Sequence, residues 1–463
     1  MTKTRRTTAH RGVLALLCAA QLVLMVDFSV VNLALPGITS AFAADPGTAL
    51  WTVTGYAVAF GALLPLGGRL ADTLGRRRMF VTGLGVFGAA SLIGGLSPWP
   101  ALLLAMRALQ GGAAALIAPA LLSLLTTVFP AGTATHRALA WFGAATSSGF
   151  SLGVVVGGLL TEFASWRAVL LINVPLVALA VPLAGRLLPS GGPPARRRPR
   201  DLPGAVTGTT GCVALLLGIS EAGSRGWEPS RTGLPLCLGL GLLGLFVLVE
   251  RRAAAPLVPP GVFRSRSVAV VNTVTLLVTG VMGALTLLLS VFLQDVRELS
   301  PLATGAALLP LGLVTAAVSH VSPRLMAVFA PRRVLAGGVA VFAVGLLVLG
   351  AAVESGYDGL LWIGMAVCGA GFGPFFTTAT VTATQDLPAA DQGLAGALIS
   401  MSTQIGTALG IAFLVSLAER HPGDTASGIA LAMRSGAAAL AVAVALTLAA
   451  LRERRSRHGP TGA

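Results

Sequence analysis

The sequence predicts an all-α membrane protein with fourteen transmembrane helices, arranged as two six-helix bundles with two inserted helices between them. Three observations predict it. The chain is 463 residues long, 55% hydrophobic and only 11% charged, where soluble domains carry about 25% charge. Apolar runs long enough to span a bilayer recur along its whole length. The charges that remain sit in short clusters between those runs, and the clusters alternate in strength.

A span needs about 20 apolar residues at about 1.5 Å rise each. Fourteen runs qualify, with approximate limits 13–35, 49–70, 79–97, 100–126, 138–160, 168–188, 203–221, 232–250, 268–293, 301–321, 334–353, 359–382, 393–418 and 429–451. Between them, "SPWP" at 97–100 and "ESGYDG" at 354–359 supply the proline, glycine and polar residues of turns. The N-terminal "MTKTRRTTAHRG" precedes a run too long for a signal-peptide core and without a small-residue cleavage site, so a retained first span is expected.

Orientation follows from the arginines. With the N-terminus in the cytoplasm, 25 basic residues fall inside, including Arg5, Arg6, Arg11, Arg76 to Arg78 and Arg196 to Arg198. Six fall outside: Arg167, Arg225, Arg231, Arg297, Arg420 and Arg434. That asymmetry places both termini on the cytoplasmic side of a cell membrane. The same distribution argues against nucleic acid as the partner of this +15 chain, because the charges form no continuous basic face. The four cysteines, Cys18, Cys212, Cys237 and Cys368, all lie within apolar runs and show no metal or redox spacing. No metal site, cofactor or disulfide is expected, and the chain is expected to be a monomer.

Two segments divide the chain. "PSGGPPARRRPR" at 189–200 follows the sixth run and "RRAAAPLVPPGVFRSRS" at 251–267 follows the eighth. The expected units are therefore residues 1–189, a linker and helix pair at 190–266, and residues 267–463. A weak repeat agrees: "RLADTLGRRR" at 69–78 aligns with "RLMAVFAPRR" at 324–333, and each joins the second and third runs of its six. Asp72 becomes Ala327 in the second copy.

Inside the spans, charge is costly and is read as functional by default. Only Asp27 and Arg107 lie well away from run ends. Asp27 is about 24 Å beyond Arg11 along a helix, and Arg107 about 10 Å past Pro100 on a helix of the opposite direction. Their depths agree. Gln110 lies three residues from Arg107, on the same helix face. An acid, a base and an amide can therefore meet in the outer half of the membrane, either as a coupling site or as a structural ion pair. Gln110 itself, with Asn32, Asn272 and Gln404, is a candidate to line a cavity there. Asn173 and Gln294 can face the same cavity, but for these two as for Asn32, Asn272 and Gln404 an interhelical hydrogen bond is the better reading, and for "GFGPFF" at 371–376 packing.

Several of these stretches are similar to one family. "GGRLADTLGRRRMF" at 67–80 resembles the cytoplasmic loop signature of the major facilitator superfamily, G-x-L-A-D-r-x-G-r-k/r-x, at Gly68, Leu70, Ala71, Asp72, Gly75, Arg76 and Arg77. "VDFSVVNLALP" at 26–36 resembles the first-helix signature of its fourteen-span drug:proton antiporters. "LLLAMRALQGGAAA", "SWRAVLLINVP" and "SPLATGAALLP" also look like this family. The fifth run reads "GFSLGVVVGG": Gly149, Gly153, Gly157 and Gly158 are in place, with Val154 where the family usually has the proline that kinks the helix.

The resemblance implies a proton-coupled exporter of hydrophobic or cationic compounds, working by alternating access. Asp27 and Arg107 would couple protons to substrate, and the loop Gly68–Arg77 would gate the cytoplasmic side. Asp72 would act there as a latch between the bundles. The glycines of the fifth run would pack helices. A proton-coupled importer is the main alternative, although peptide symporters usually carry a glutamate-rich first helix and this one has Asp27 alone. A membrane sensor would need a soluble domain, and no segment between the runs is long enough. No nucleotide-binding loop or enzymatic constellation is present.

The orientation is testable directly. A reporter fused after Ala463 should report a cytoplasmic location, and an external signal would remove or add a span.

Overall fold

The computed structural model describes residues 2–43, 46–129, 133–188, 202–225, 229–253, 256, 265–384, 389–420 and 424–451. Sixteen α-helices account for nearly all of them: α1 (Thr2–Phe42), α2 (Pro46–Leu74), α3 (Arg76–Gly95), α4 (Pro100–Val128), α5 (Thr133–Phe163), α6 (Trp166–Leu171), α7 (Asn173–Leu187), α8 (Leu202–Arg225), α9 (Leu234–Arg252), α10 (Arg266–Val291), α11 (Pro301–Val328), α12 (Pro331–Ser355), α13 (Asp358–Phe372), α14 (Phe375–Thr384), α15 (Ala389–Ala418) and α16 (Thr425–Ala450). Every apolar run lies on helix. Eleven described stretches are long and apolar enough to cross a membrane. The runs at 49–70, 138–160 and 203–221 are helical too, but only the shorter Trp51–Leu64 of the first is described as an apolar stretch.

Two runs are divided, and proline is the reason for both. Run 168–188 becomes α6 and α7, separated at Ile172, because Pro175 has no N–H to give the carbonyl four residues back. Run 359–382 becomes α13 and α14, separated at Gly373 and Pro374. Phe372 stacks on Phe375 across that break, with ring centroids 5.9 Å apart, and Phe375 is buried. By contrast α5, which carries Val154 where a proline was expected, is one uninterrupted helix. The side chain of Val154 lies outside the described residues.

Chain ends of helices follow local chemistry. Pro100, Pro301 and Pro331 open α4, α11 and α12, where a missing N–H costs nothing. Gly356 closes α12 with φ 67°, a conformation that favours glycine.

Glycine decides which helices touch. A Cβ on Gly149 would lie 2.7 Å from Met25 Cβ, and one on Gly157 3.0 Å from Val30 O. At Gly153 it would collide with Ser29 Oγ and come within 2.8 Å of Val26 O. These three glycines therefore let α5 lie directly against α1. The next, Gly158, faces another direction and sits against Pro301 and Leu302 of α11. The second half repeats the first arrangement. Gly406 and Gly410 of α15 lie against Leu276 and Gly280 of α10. First and fifth helices of each half thus pack through the same device.

The two halves meet unevenly. A hydrophobic core made from the end of α1 (Val30 to Ile38) and from α10, α11, α12 and α16 runs continuously across both. A second core, toward the start of α1, draws its buried residues from the first half alone. Between the halves, Ser290 Oγ of α10 donates to Asn32 O of α1 at 3.3 Å, and Leu302 N of α11 to Glu162 Oε2 of α5 at 2.9 Å. The inserted α8 packs against both α2 and α15, and Thr209 Oγ1 donates to Ala62 O at 3.0 Å.

Gly153→Leu should disrupt the protein by forcing α1 and α5 apart, an overpacking cost of about 1–3 kcal/mol or more. Gly85→Leu, at a position with open space, is the control. Thermal unfolding in detergent should separate the two; equal midpoints would mean that the α1–α5 contact is not tight.

Candidate functional site

The centre of the first half holds a closed polar network. Asp27 on α1 and Arg107 on α4 are 0% and 1% exposed, and Arg107 NH1 lies 2.8 Å from Asp27 Oδ2. The guanidinium has two further acceptors. Its Nε donates to Thr52 O of α2 at 2.9 Å, and NH1 also reaches Gln110 Oε1 at 3.0 Å. Its flat face lies 4.6 Å from the centre of the Tyr56 ring.

The other carboxylate oxygen is held by amides. Asn173 Nδ2 donates to Asp27 Oδ1 at 2.6 Å and Gln110 Nε2 approaches it at 3.4 Å. Gln110 Nε2 also donates to Ser91 Oγ of α3 at 2.7 Å. Ser91 also receives Asn173 Nδ2 at 3.4 Å, so four helices, α1, α2, α4 and α7, meet at the ion pair and α3 supports it through the two amides.

Local sequence explains each placement. Gly111, next to Gln110, lets α4 approach the backbone of α2 at Tyr56, which brings Thr52 O within reach of Arg107. Asn173 is the first residue of α7, immediately after the interruption at Ile172. Asp27 lies one turn before Val31 and Asn32, close to where α1 enters the core shared by both halves.

The remaining candidates are scattered. Gln110 lines no open space, because both ends of its amide are committed to the network. Asn272 is bonded within the second half, donating to Val268 O at 2.8 Å and accepting from Ser402 Oγ at 2.8 Å. Gln404 lies against α2, where a Cβ on Gly61 would be 2.9 Å from Gln404 Cβ. Asn32 Oδ1 and Gln404 Oε1 are buried without a partner.

At the loop between α2 and α3, Gly75 has φ 99° and opens α3. Arg76 donates to Ser123 O and Thr127 Oγ1 of α4. Arg77 donates to Gly185 O, in the last turn of α7, at 2.5 Å. Its repeat equivalent Arg332 donates to Leu451 O, at the end of α16. Each half therefore uses this arginine to hold the carbonyl end of its own sixth helix, where a cation suits the helix dipole. Gly68 lies on α2 with Pro119 Cβ as its nearest neighbour. Asp72 is in the last turn of α2, and its side chain lies outside the described residues.

Sequence reasoning missed Ser91, Thr52 and Tyr56; it read Asn173 as an interhelical hydrogen bond, which it makes to Asp27 and to Ser91, without tying it to the ion pair. Serine and threonine are ordinary in apolar helices, and Thr52 contributes only its carbonyl. Asn173 had a signal, since "NVP" puts an amide at a proline-made helix break.

Residues 17–411 match the family model of the Major Facilitator Superfamily. The chain belongs to this superfamily. Within it, the chain is 38% identical to the puromycin resistance protein pur8 of Streptomyces alboniger over 409 residues, 87% of this chain and 80% of that protein. It is 37% identical to the cephamycin export protein CmcT of Amycolatopsis lactamdurans over 450 residues, 93% of this chain and 92% of that one. In fold it is similar to the crystal structure of the POT family transporter PepTSo, with a TM-score of 0.71 at 15% identity over 95% of this chain and 97% of that one. As a major facilitator protein the chain is a multi-pass membrane transporter, not an enzyme.

The ion pair should be strongly coupled. Arg107→Leu strands a buried carboxylate and should cost about 3–5 kcal/mol of stability. Adding Asp27→Leu should recover most of that loss, because replacing both partners by apolar groups is often nearly neutral. Thermal unfolding of the single and double variants checks this; additive losses would show that the two charges do not depend on each other.

Proposed function

We propose that this protein is a proton-coupled antiporter that exports hydrophobic or cationic compounds across the cell membrane by alternating access. The observation that carries the reading is the buried Asp27–Arg107 pair. It is a place where a span of this chain can take up a proton, and it lies where α1 enters the core shared by both halves. The relatives, a puromycin resistance protein and a cephamycin export protein, support export of an antibiotic-like compound. The likeness to a peptide transporter supports the fold alone and gives import no weight.

The proposed cycle follows from charge. With Asp27 ionised, the network is neutral overall and can stay dry. A proton on Asp27 leaves Arg107 as an uncompensated cation in low dielectric, and that state is relieved when water or an anion reaches it. Protonation thus favours opening and deprotonation favours closure. The buried acceptors of Asn32 and Gln404, left without partners, are available to a donor-bearing or cationic substrate between the halves.

With the N-terminus cytoplasmic, the contacts Ser290–Asn32 and Leu302–Glu162 lie on the outer side. The described arrangement is then the state closed to the outside. Asp72 would latch the cytoplasmic side in the opposite state, so Asp72→Asn should slow export without preventing membrane insertion.

Asp27→Asn should fold and reach the membrane, since an amide fills the same space. Proteoliposomes carrying it should lose pH-gradient-driven uptake of a hydrophobic cation such as tetraphenylphosphonium by at least about tenfold. Wild-type rates with an unchanged pH dependence would make the pair structural.

A further inference from the structure

We propose that Asn173 follows the proton on Asp27: its amide donates to the carboxylate and turns over to accept from the carboxylic acid. This rests on the reading of Asp27 as the proton-carrying acid.

The two carboxylate oxygens of Asp27 are not equivalent. Arg107 NH1 holds Oδ2 at 2.8 Å, while Oδ1 receives the neutral amides of Asn173 at 2.6 Å and Gln110 at 3.4 Å. An incoming proton therefore goes to Oδ1, away from the cation. The new O–H then faces the N–H of Asn173, donor against donor. One of the two amides must give way.

Gln110 is pinned. Its Oε1 accepts from Arg107 at 3.0 Å and its Nε2 donates to Ser91 Oγ at 2.7 Å, so turning it would break both bonds. Asn173 is held less firmly, since its Nδ2 reaches Ser91 Oγ only at 3.4 Å. Its Oδ1 is buried and has no partner, on a residue that is 0% exposed. A half-turn about Cβ–Cγ exchanges oxygen and nitrogen, which have nearly the same size, and needs no new space. The bond from Nδ2 to the carboxylate breaks, and one from Asp27 Oδ1–H to Asn173 Oδ1 forms. The proton comes from the aqueous phase, and the turn also gives up the long contact from Asn173 Nδ2 to Ser91 Oγ at 3.4 Å. In either orientation one amide atom is left without a partner, so apart from the long Ser91 contact the two orientations are balanced and the proton decides between them.

Other charges do not complicate the pair. Arg107 on α4 and Tyr56 on α2 are the titratable groups facing Asp27. The sides presented by α3 and α7 are the neutral Ser91 and Asn173. On the remaining helices packed against α1, the acids and bases nearest this depth are at helix ends: Glu162 on α5, Arg167 on α6, Asp295 beyond α10 and Arg324 on α11. Asn173 is accordingly a positioning residue that acts through Asp27.

Infrared difference spectroscopy of the full-length protein in nanodiscs, titrated with pH, tests this without a substrate. The wild type should show a carboxylic C=O band that is missing in Asp27→Asn. A side-chain amide change, marked by isotope-labelled asparagine and missing in Asn173→Leu, should appear at the same midpoint. In Asn173→Leu the Asp27 band should move to higher pH by about one unit, a tenfold gain in proton affinity, because a charge-assisted bond to the carboxylate is lost. Asn173→Ser, whose hydroxyl both donates and accepts, should bring the midpoint back. If Asn173→Leu does not fold, the coincidence of the two wild-type bands decides alone. An Asp27 band that titrates with no amide change overturns the role of Asn173. The absence of any Asp27 band overturns the parent reading as well, so the two failures are distinct.

Discussion

The structure of the first half depends on one constraint: an acid and a base have been placed where neither can be hydrated. A lone charge at that depth costs several kcal/mol, and the pair repays this only when every remaining donor and acceptor is met. The network around Asp27 and Arg107 meets nearly all of them. It does so by drawing groups from α1, α2, α3, α4 and α7, so those helices have little freedom in register. Among the described side chains bonded to the Asp27 carboxylate, Asn173 leaves an acceptor over, its Oδ1, and that is where a change of protonation can be absorbed. A site that is both tightly held and short of one bond is suited to two states rather than one.

Close helix packing is the second constraint, and it appears in both halves. Lipid supplies no hydrophobic drive between apolar helices, so contact must come from shape. Gly149, Gly153 and Gly157 provide it between α1 and α5, and Gly406 and Gly410 between α10 and α15. The first half then adds charge to that scaffold, while the equivalent region of the second half does not. The matching arginines in the first turns of α3 and α12 behave alike, Arg77 holding α7 and Arg332 the end of α16. What the halves share is the device that holds each bundle together. They differ in the presence of Asp27 and Arg107.

Much of this was legible in the sequence, for physical reasons. Spans are long and lipid tolerates little charge, so all fourteen runs fall on helix and a lone acid and base stand out. Helical rise alone set Asp27 and Arg107 at the same depth. The breaks at Ile172 and at Gly373–Pro374 were missed although Pro175 and Pro374 were in view, because hydropathy does not register a lost backbone hydrogen bond. The partners of the pair were harder to see. Ser91 and Tyr56 are common residues whose direction depends on helix rotation, which no periodicity in an all-apolar run reveals. Thr52 contributes a backbone carbonyl that any residue would have supplied. Gln110 was legible as a neighbour of Arg107, but its confinement within the network, away from any open cavity, required the packing of α3 against α4.

The central claim is that Asp27 exchanges its proton when substrate is bound. Proton release from the purified protein in weakly buffered detergent solution, on addition of a hydrophobic cation, measures it most directly. The account predicts release from the wild type and none from Asp27→Asn at equal protein and substrate concentration. Equal release from both would contradict it.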